Sequence, residues 1–334
     1  MVSPRTLRNL RKEFRRSLLA KVGLVLVVTV LMVAALAPLV APHDPTDQDN
    51  ENATLPPVGF AQEETQPSLE DGELVNETVT VEPDPAHPLG TDNLGRDMLS
   101  RVIYGARTSL AVGVLGTLIA AVVGVTVGVG AGYYGGRVDD ALMRSADVML
   151  AFPSLVLAVA LVGLFGRAVV AVPDPLVALG VVEGMPETFA LPGTVILVVG
   201  LVNWVWFARV ARGEALSVVD EEYVKAARSV GASDLFIVRK HVLPNSVTPI
   251  LVLGTIQVAA IILLESALSF LGFSGTTLSW GFDISQGQNY LSTSWWISTM
   301  PGLAIVVTVI GINLLGDWLR DALDPGIEGE GGGP

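Results

Sequence analysis

Few residues in this sequence have the types and spacing that catalysis or cofactor binding requires. Its 334 residues include no cysteine and three histidines, His43, His87 and His241, which are far apart in the chain. Disulfides and thiol chemistry are therefore excluded, and a shared histidine metal site is not expected. The motifs G-x-x-x-x-G-K-[ST], H-E-x-x-H and G-x-S-x-G are absent. Without these motifs we predict no catalytic residue, no metal site and no cofactor in this chain. In particular, no P-loop is present to bind the phosphates of ATP.

One phosphate-binding pattern does occur, but its context argues against a nucleotide site. Residues 130–135 spell G-x-G-x-x-G, which in a dinucleotide fold follows a short strand. Here a long uncharged apolar run precedes it, as in a membrane span. Glycines at every fourth position share one helix face and let two transmembrane helices approach closely. We therefore predict helix packing through Gly124, Gly128, Gly132 and Gly136.

The elements that would position any site are apolar helices. The chain is 51% hydrophobic, and six uncharged runs each approach the roughly 20 residues that a helix needs to cross a bilayer. Lipid offers the backbone no hydrogen bonds, so each run should be a helix. We predict an all-α membrane protein with six transmembrane helices at Val22–Ala41, Thr108–Gly136, Val148–Gly166, Phe189–Ala208, Val242–Leu264 and Trp295–Gly316. The first run is too long for a secretory signal core and lacks a clear cleavage site, so we expect it to be retained.

The charges predict the orientation. Most Lys and Arg fall before the first run, between the second and third, between the fourth and fifth, and after the sixth, so both termini should be cytoplasmic. Segment 44–84 is acidic, lacks Lys and Arg, and carries the Asn-x-Thr sites at Asn52 and Asn76, as expected of an external loop. The net charge of −13 with few lysines suggests a halophilic source, and a flexible, self-repelling external loop is the alternative explanation. No basic patch indicates a nucleic-acid partner.

A charged segment precedes the second run. Residues 97–107 place apolar side chains on one face and Arg101 and Arg107 elsewhere, which predicts an interfacial helix on the outer surface. This helix could dock an external partner or simply connect two spans along the membrane.

A polar segment between the fourth and fifth runs predicts two short helices, and we call residues 221–244 the elbow. The first helix, Glu221–Val230, is capped by Asp220 and ends at Gly231. The second begins after Ser233 and runs from Asp234 to about Val242, where Pro244 should push Leu243 out of the helix. A capped helix pair between two spans suits the transmission of motion better than a simple connection.

The elbow resembles the E-A-A…G…I-x-L-P coupling loop of binding-protein-dependent ABC transporter permeases. Ala226, Ala227, Gly231, Leu243 and Pro244 occupy motif positions, whereas Lys225 and His241 replace the motif's Glu and Ile. Glu222 stands where the peptide-type subfamily often carries its acid. The stretches "HPLGTDNLGRDMLSRVIYGARTSL", "AGYYGGRVDDALMRSADVMLAFPSL", "LVNWVWFARVARGEALS" and "PGLAIVVTVIGINLLGDWLRDALDP" resemble the C-type permease subunit of dipeptide, oligopeptide and nickel importers.

The resemblance implies a type-1 ABC importer permease fold with cytoplasmic coupling helices. It implies a homologous second permease subunit, two ABC ATPase subunits that bind ATP, and an external substrate-binding protein. It assigns the ATPase contact to Glu222, Tyr223, Ala226, Ala227, Gly231, Leu243 and Pro244. It divides the chain into a basic N-terminus (1–21), a first span (22–41), an external loop with the interfacial helix (42–106), a five-span permease domain (107–317, coupling loop 213–244) and a C-terminal tail (318–334). The long segments 44–84 and 173–191 have no assigned role.

Two alternatives remain. A secondary transporter or channel subunit would need charged residues at mid-membrane, and no apolar run contains one. An intramembrane enzyme would need metal ligands or a nucleophile with its base at that depth. Glu265, near the outer end of the fifth run, is better explained by a local hydrogen bond there than by a substrate or gating role.

Overall fold

The computed structural model describes residues 13–70 and 73–323. The described chain is mostly helical, with two small antiparallel hairpins. The helices are α1 Leu18–Ala35, α2 Ala37–Val40, α3 Met98–Tyr134, α4 Gly136–Leu150, α5 Ser154–Phe165, α6 Pro175–Ala178, α7 Gly193–Val219, α8 Glu222–Ser229, α9 Asp234–Ile237, α10 Leu243–Phe270, α11 Trp280–Gly287 and α12 Trp296–Leu323. The strands are β1 Gln62–Glu70, β2 Glu73–Val81, β3 Val169–Pro173 and β4 Thr188–Pro192.

Within residues 13–70 and 73–323, five helices are long and apolar enough to cross a membrane, and a bent pair, α4 with α5, raises the total to six. The bent pair corrects the predicted third span, Val148–Gly166. Its two helices meet at 93° across a break before Ser154. Pro153 has an extended backbone there (φ −57°, ψ 127°), and its missing amide hydrogen prevents the helix from continuing through it.

α3 is one continuous helix of 37 residues, about 55 Å long at 1.5 Å per residue. The predicted interfacial helix at 97–107 is therefore wrong, because those residues form the first turns of α3. Arg101 and Arg107 are buried there. Asp97 caps α3 by accepting a hydrogen bond from the Ser100 amide (2.7 Å).

The glycine face of α3 lies against α7. A Cβ added to Gly124 would collide with Phe207, one on Gly128 with Ala208, and one on Gly132 with Ala215. Gly136 differs from its prediction. It begins α4 with a positive φ of 52°, and an added Cβ there would meet no described atom within 4 Å.

α10 completes the bundle between α3 and α12, while α1 packs on α12. Gly23 of α1 faces Leu314, and Gly311 of α12 faces Leu26, so these two helices also approach closely. α5 packs on α7 through Ala158 and Val162 in an apolar cluster. The predicted membrane architecture is thus confirmed as a helical bundle.

The segment 44–84 contains one hairpin, and the segment 173–191 connects the two strands of the other. β1 pairs with β2 from Gln62↔Val81 to Glu70↔Glu73, and β3 pairs with β4 from Val169↔Pro192 to Pro173↔Thr188. We call the end of the bundle that carries the β3–β4 hairpin and the start of α3 the hairpin end. The opposite end, where α7 leads into α8, is the elbow end.

Candidate functional site

The elbow begins with α8, one residue shorter at each end than predicted. Glu221, in an extended conformation (φ −68°, ψ 141°), is the residue before the helix, and its side chain makes no capping hydrogen bond to a described atom. The predicted Asp220 cap is wrong, since Asp220 is the C-cap residue of α7 (φ −80°, ψ −8°) and Glu221 is the residue before α8. After α8, Gly231 has a φ of 85°, a left-handed conformation that favours glycine. The Ala232 amide then donates to the Ala227 carbonyl (3.1 Å).

The second elbow helix does not stop before Pro244. α9 passes through a π-helical turn, Val238–Val242, directly into α10, so that one helix of 37 residues runs from Asp234 to Phe270. Leu243 is helical (φ −54°, ψ −47°), which corrects the prediction that it leaves the helix. A π turn is wider than an α turn, and this width accommodates the proline ring, which would otherwise clash with the carbonyl four residues earlier.

Apolar contacts fix the elbow to the bundle. Val224, Ile237 and Val242 are fully buried. They belong to a cluster with Tyr133 of α3 and three residues of α7, namely Ala211, Ala215 and Val218. Both elbow helices therefore pack against the ends of two long helices.

Tyr133 adds a polar contact to the same junction. Its hydroxyl donates to Asp234 Oδ1 (2.7 Å), and the Arg228 guanidinium lies over its ring at 5.3 Å. On the other side, Asn245 Nδ2 donates to the Tyr223 hydroxyl (3.2 Å), and the Tyr223 and His241 rings are 5.5 Å apart. Side chains thus join α8 to α3 and α10, and α3 to α9.

The outward face of the elbow leaves large apolar side chains exposed. Leu235 is 68% exposed and Val230 86%, and Phe236 and Tyr223 are also exposed. A shallow groove nearby is lined by Ser233, Leu235, Phe236, Arg239 and Lys240. Grouped exposed apolar residues with basic neighbours are typical of a protein-docking surface.

Some of the residues predicted to contact an ATPase are exposed, and others pack where the elbow meets α3 and α7. Glu222, Tyr223, Ala226, Gly231 and Pro244 are exposed. Ala227 and Leu243 are half-buried and pack against the apolar cluster.

The structure also reveals buried ion pairs at the hairpin end that the sequence analysis missed. Arg101 pairs with Asp283 of α11 and donates to the Pro45 carbonyl (3.0 Å). Arg107 pairs with Asp174. Burial alone would raise the pKa of Asp174, but hydrogen bonds from Arg107 and from the amides of Leu176 and Val177 hold it below its ordinary value. Local sequence patterns carried no signal for these pairs, whose members lie 182 and 67 residues apart.

Glu265 is fully buried within α10. Its carboxylate accepts hydrogen bonds from Ser109 of α3 (3.0 Å) and Ser269 (2.5 Å). Ser266 lies 3.4 Å away. This placement agrees with the predicted local hydrogen bonding.

Two of the three histidines meet at the hairpin end. The ring centroids of His43 and His87 are 4.6 Å apart, and Asp97 lies beside both. The expectation that sequence distance keeps the histidines apart is therefore wrong for this pair, because the chain between them returns to the start of α3. His241 lies in the elbow.

Comparisons with known proteins agree with this architecture. Residues 124–329 match the family described as "Binding-protein-dependent transport system inner membrane component". Residues 6–57 match "N-terminal TM domain of oligopeptide transport permease C".

Curated relatives cover nearly the whole chain. The di/tripeptide transport system permease protein DppC of Pseudomonas aeruginosa is 34% identical over 97% of this chain and 94% of its own length. The probable D,D-dipeptide transport system permease protein DdpC of Escherichia coli is 33% identical, over 90% and 85% respectively.

Among solved structures, inward-facing forms of the MetNI methionine ABC transporter are similar to this chain. One aligns over 68% of this chain and 98% of its own with a TM-score of 0.52 and 16% identity, which is evidence on the fold alone. With the matched family covering more than half of its length, the chain belongs to the inner membrane components of binding-protein-dependent transport systems, the permease family that the elbow motif resembles.

Proposed function

We propose that this chain is the permease subunit of an ABC importer that carries peptides or a related small solute. The family match and the peptide-permease names of several relatives support this substrate class. The chain would form half of the translocation path. It performs no covalent chemistry in this proposal.

The proposed assembly contains a homologous second permease, two ABC ATPase subunits and an external substrate-binding protein. ATP is assigned to the ATPase subunits because this sequence has no P-loop motif. The exposed apolar ridges of the transmembrane helices, such as Leu118 and Val122 of α3, suit contact with lipid or the second permease.

The single observation that carries the proposal is the geometry of the elbow. Val224 and Ile237 anchor it in the bundle, while Leu235 and Phe236 face outward. A partner that grips this outward face would move α8 and α9, and α10 would move with them because it is the same helix as α9. Glu222, Tyr223, Ala226, Gly231 and Pro244 are exposed to such a partner, and Ala227 and Leu243 pack against the apolar cluster.

In the proposed orientation the elbow and both termini face the cytoplasm, and the hairpins face outward. The Lys and Arg distribution supports it. The halophilic source suggested by the charge balance stays a prediction.

Site-specific cross-linking tests the elbow. Because the chain has no cysteine, Ala226→Cys introduces a unique thiol on the exposed face of α8. We expect a cross-link to a co-expressed ATPase subunit. Ala178→Cys, exposed at the hairpin end, is the matched control and should give none. An Ala178 cross-link, or none from Ala226 during turnover, contradicts the assignment.

The same two variants test the orientation. A membrane-impermeant maleimide added to intact cells should label Ala178→Cys and spare Ala226→Cys until the membrane is opened. The reverse pattern would overturn the proposed topology.

Reconstituted uptake tests the transport class. Peptide uptake by the complete assembly should require ATP. Uptake by this chain alone, driven by an ion gradient, would favour a secondary transporter instead.

A further inference from the structure

Three side chains at the hairpin end are not used by the proposed transport mechanism. His43 follows α2, His87 precedes the turn at Gly90, and Asp97 is the residue before α3. One donor atom from each lies within 4.8 Å of the other two. Two imidazoles and a carboxylate form a donor set that zinc sites use.

The separations fit a bound ion. His87 Nδ1 lies 3.0 Å from Asp97 Oδ1, and His43 Nδ1 lies 3.8 Å from Asp97 Oδ2. In a tetrahedral site with bonds near 2.1 Å, neighbouring ligand atoms are about 3.4 Å apart. The two separations to Asp97 lie on either side of that spacing, and the three ligand atoms are all within 4.8 Å of one another.

The His87 ring has a hydrogen-bond partner, whereas Nδ1 of the His43 ring has none among the described residues. His87 is hydrogen-bonded to the carboxylate that caps α3. His43 Nδ1 is buried and has no hydrogen-bond partner among the described residues, which is an unfavourable state for a polar atom. A metal ion bound to this nitrogen would satisfy it.

A surrounding set of hydrogen bonds orients the ligands. Ser100 Oγ donates to Asp97 Oδ2 (2.6 Å), and the His43 amide donates to Ser100 Oγ (3.1 Å). Such outer contacts fix ligand orientation in metal sites. They also hold the segment after α2 against the first turn of α3.

We infer that His43, His87 and Asp97 bind a divalent transition-metal ion of borderline softness, with Zn²⁺ as the ion to test. The ion would join the segment after α2 to the start of α3. It would be a structural ion of the permease, separate from the transported solute.

Zinc binding to the full chain, purified with its partner subunits and stripped of metal, tests the inference. Equilibrium dialysis with metal analysis should find a zinc ion that depends on this chain's histidines. His43→Ala should weaken its binding at least about tenfold, whereas His241→Ala, at the elbow end, should leave it unchanged. Zn²⁺ should raise the thermal midpoint of the wild type and of His241→Ala but not that of His43→Ala.

His43→Ala is the decisive variant because the His43 side chain makes no hydrogen bond to a described residue, whereas the loss of His87 also disturbs the α3 cap. His43→Asp, which restores a ligand, should recover part of the binding that alanine loses. Equal zinc binding by wild type and His43→Ala, or no zinc bound by the wild type, would overturn the inference. An equal loss in His241→Ala would overturn it as well.

Discussion

The two ends of this bundle are stabilised by different interactions. At the hairpin end, Arg101–Asp283 and Arg107–Asp174 are buried ion pairs whose side chains are at most 7% exposed. At the elbow end, the pair Arg212–Asp139 is partly exposed, Arg209–Asp147 is about half exposed, and Lys225–Glu222 is more exposed still. The elbow relies instead on a small apolar cluster around Val224.

This difference indicates which end can move. A buried charge that loses its partner is costly, so the hairpin end should keep its arrangement. Exposed pairs contribute little and can exchange partners with water. An end of the bundle that must respond to a partner subunit is better stabilised by exposed ion pairs than by buried ones.

Breaking a buried pair at the hairpin end should have the largest effect. Arg101→Ala leaves Asp283 buried and unpaired, so we expect the free energy of unfolding to fall by about 3–5 kcal/mol. Arg209→Ala at the elbow end should cost about 0–1 kcal/mol. Denaturant unfolding in detergent measures both, and similar losses would refute the contrast between the two ends.

The glycine face that connects the two ends should give an intermediate effect. Gly128→Ala places a Cβ within 2.9 Å of the Ala208 Cα, and this overpacking should cost about 1–3 kcal/mol. In Gly130→Ala, two residues along α3, the new Cβ meets no described atom within 4 Å. That variant should be neutral or more stable by up to about 1 kcal/mol. Thermal unfolding of the two proteins compares them, and equal midpoints would contradict packing through this face.

A smaller effect than that of the buried pair or the glycine face is expected at the elbow junction. Tyr133→Phe removes the hydrogen bond to Asp234 and should cost about 1 kcal/mol. The loss should show as faster hydrogen exchange of the α8 and α9 amides. Tyr134→Phe changes the exposed neighbouring ring and is the matched control. Unchanged exchange in Tyr133→Phe would mean that the apolar cluster alone holds the elbow.

Much of the bundle could be predicted from the sequence because lipid offers the backbone no hydrogen bonds, so that every apolar run must be a helix. Uncharged runs located all the long helices, and the Gly124, Gly128 and Gly132 spacing identified the face of α3 that meets α7. The elbow could be placed because Gly231 and the polar pattern around it are local signals.

What the sequence could not predict depends on distant partners. Arg101 and Arg107 suggested a surface helix because their acidic partners lie far along the chain. Pro244 suggested a helix end because proline rules assume an α turn, whereas a π turn precedes it. The pairing of His43 with His87 likewise depends on the course of the chain between them.

The unbroken helix from Asp234 to Phe270 gives the elbow a long mechanical reach. At 1.5 Å per residue it is a lever of about 55 Å, and a swing of about 5° displaces its far end by about 5 Å. Glu265 and its serine partners sit near that far end. In the proposed mechanism, a displacement of the elbow would reach the contact between α10 and α3 at the hairpin end through this one continuous helix.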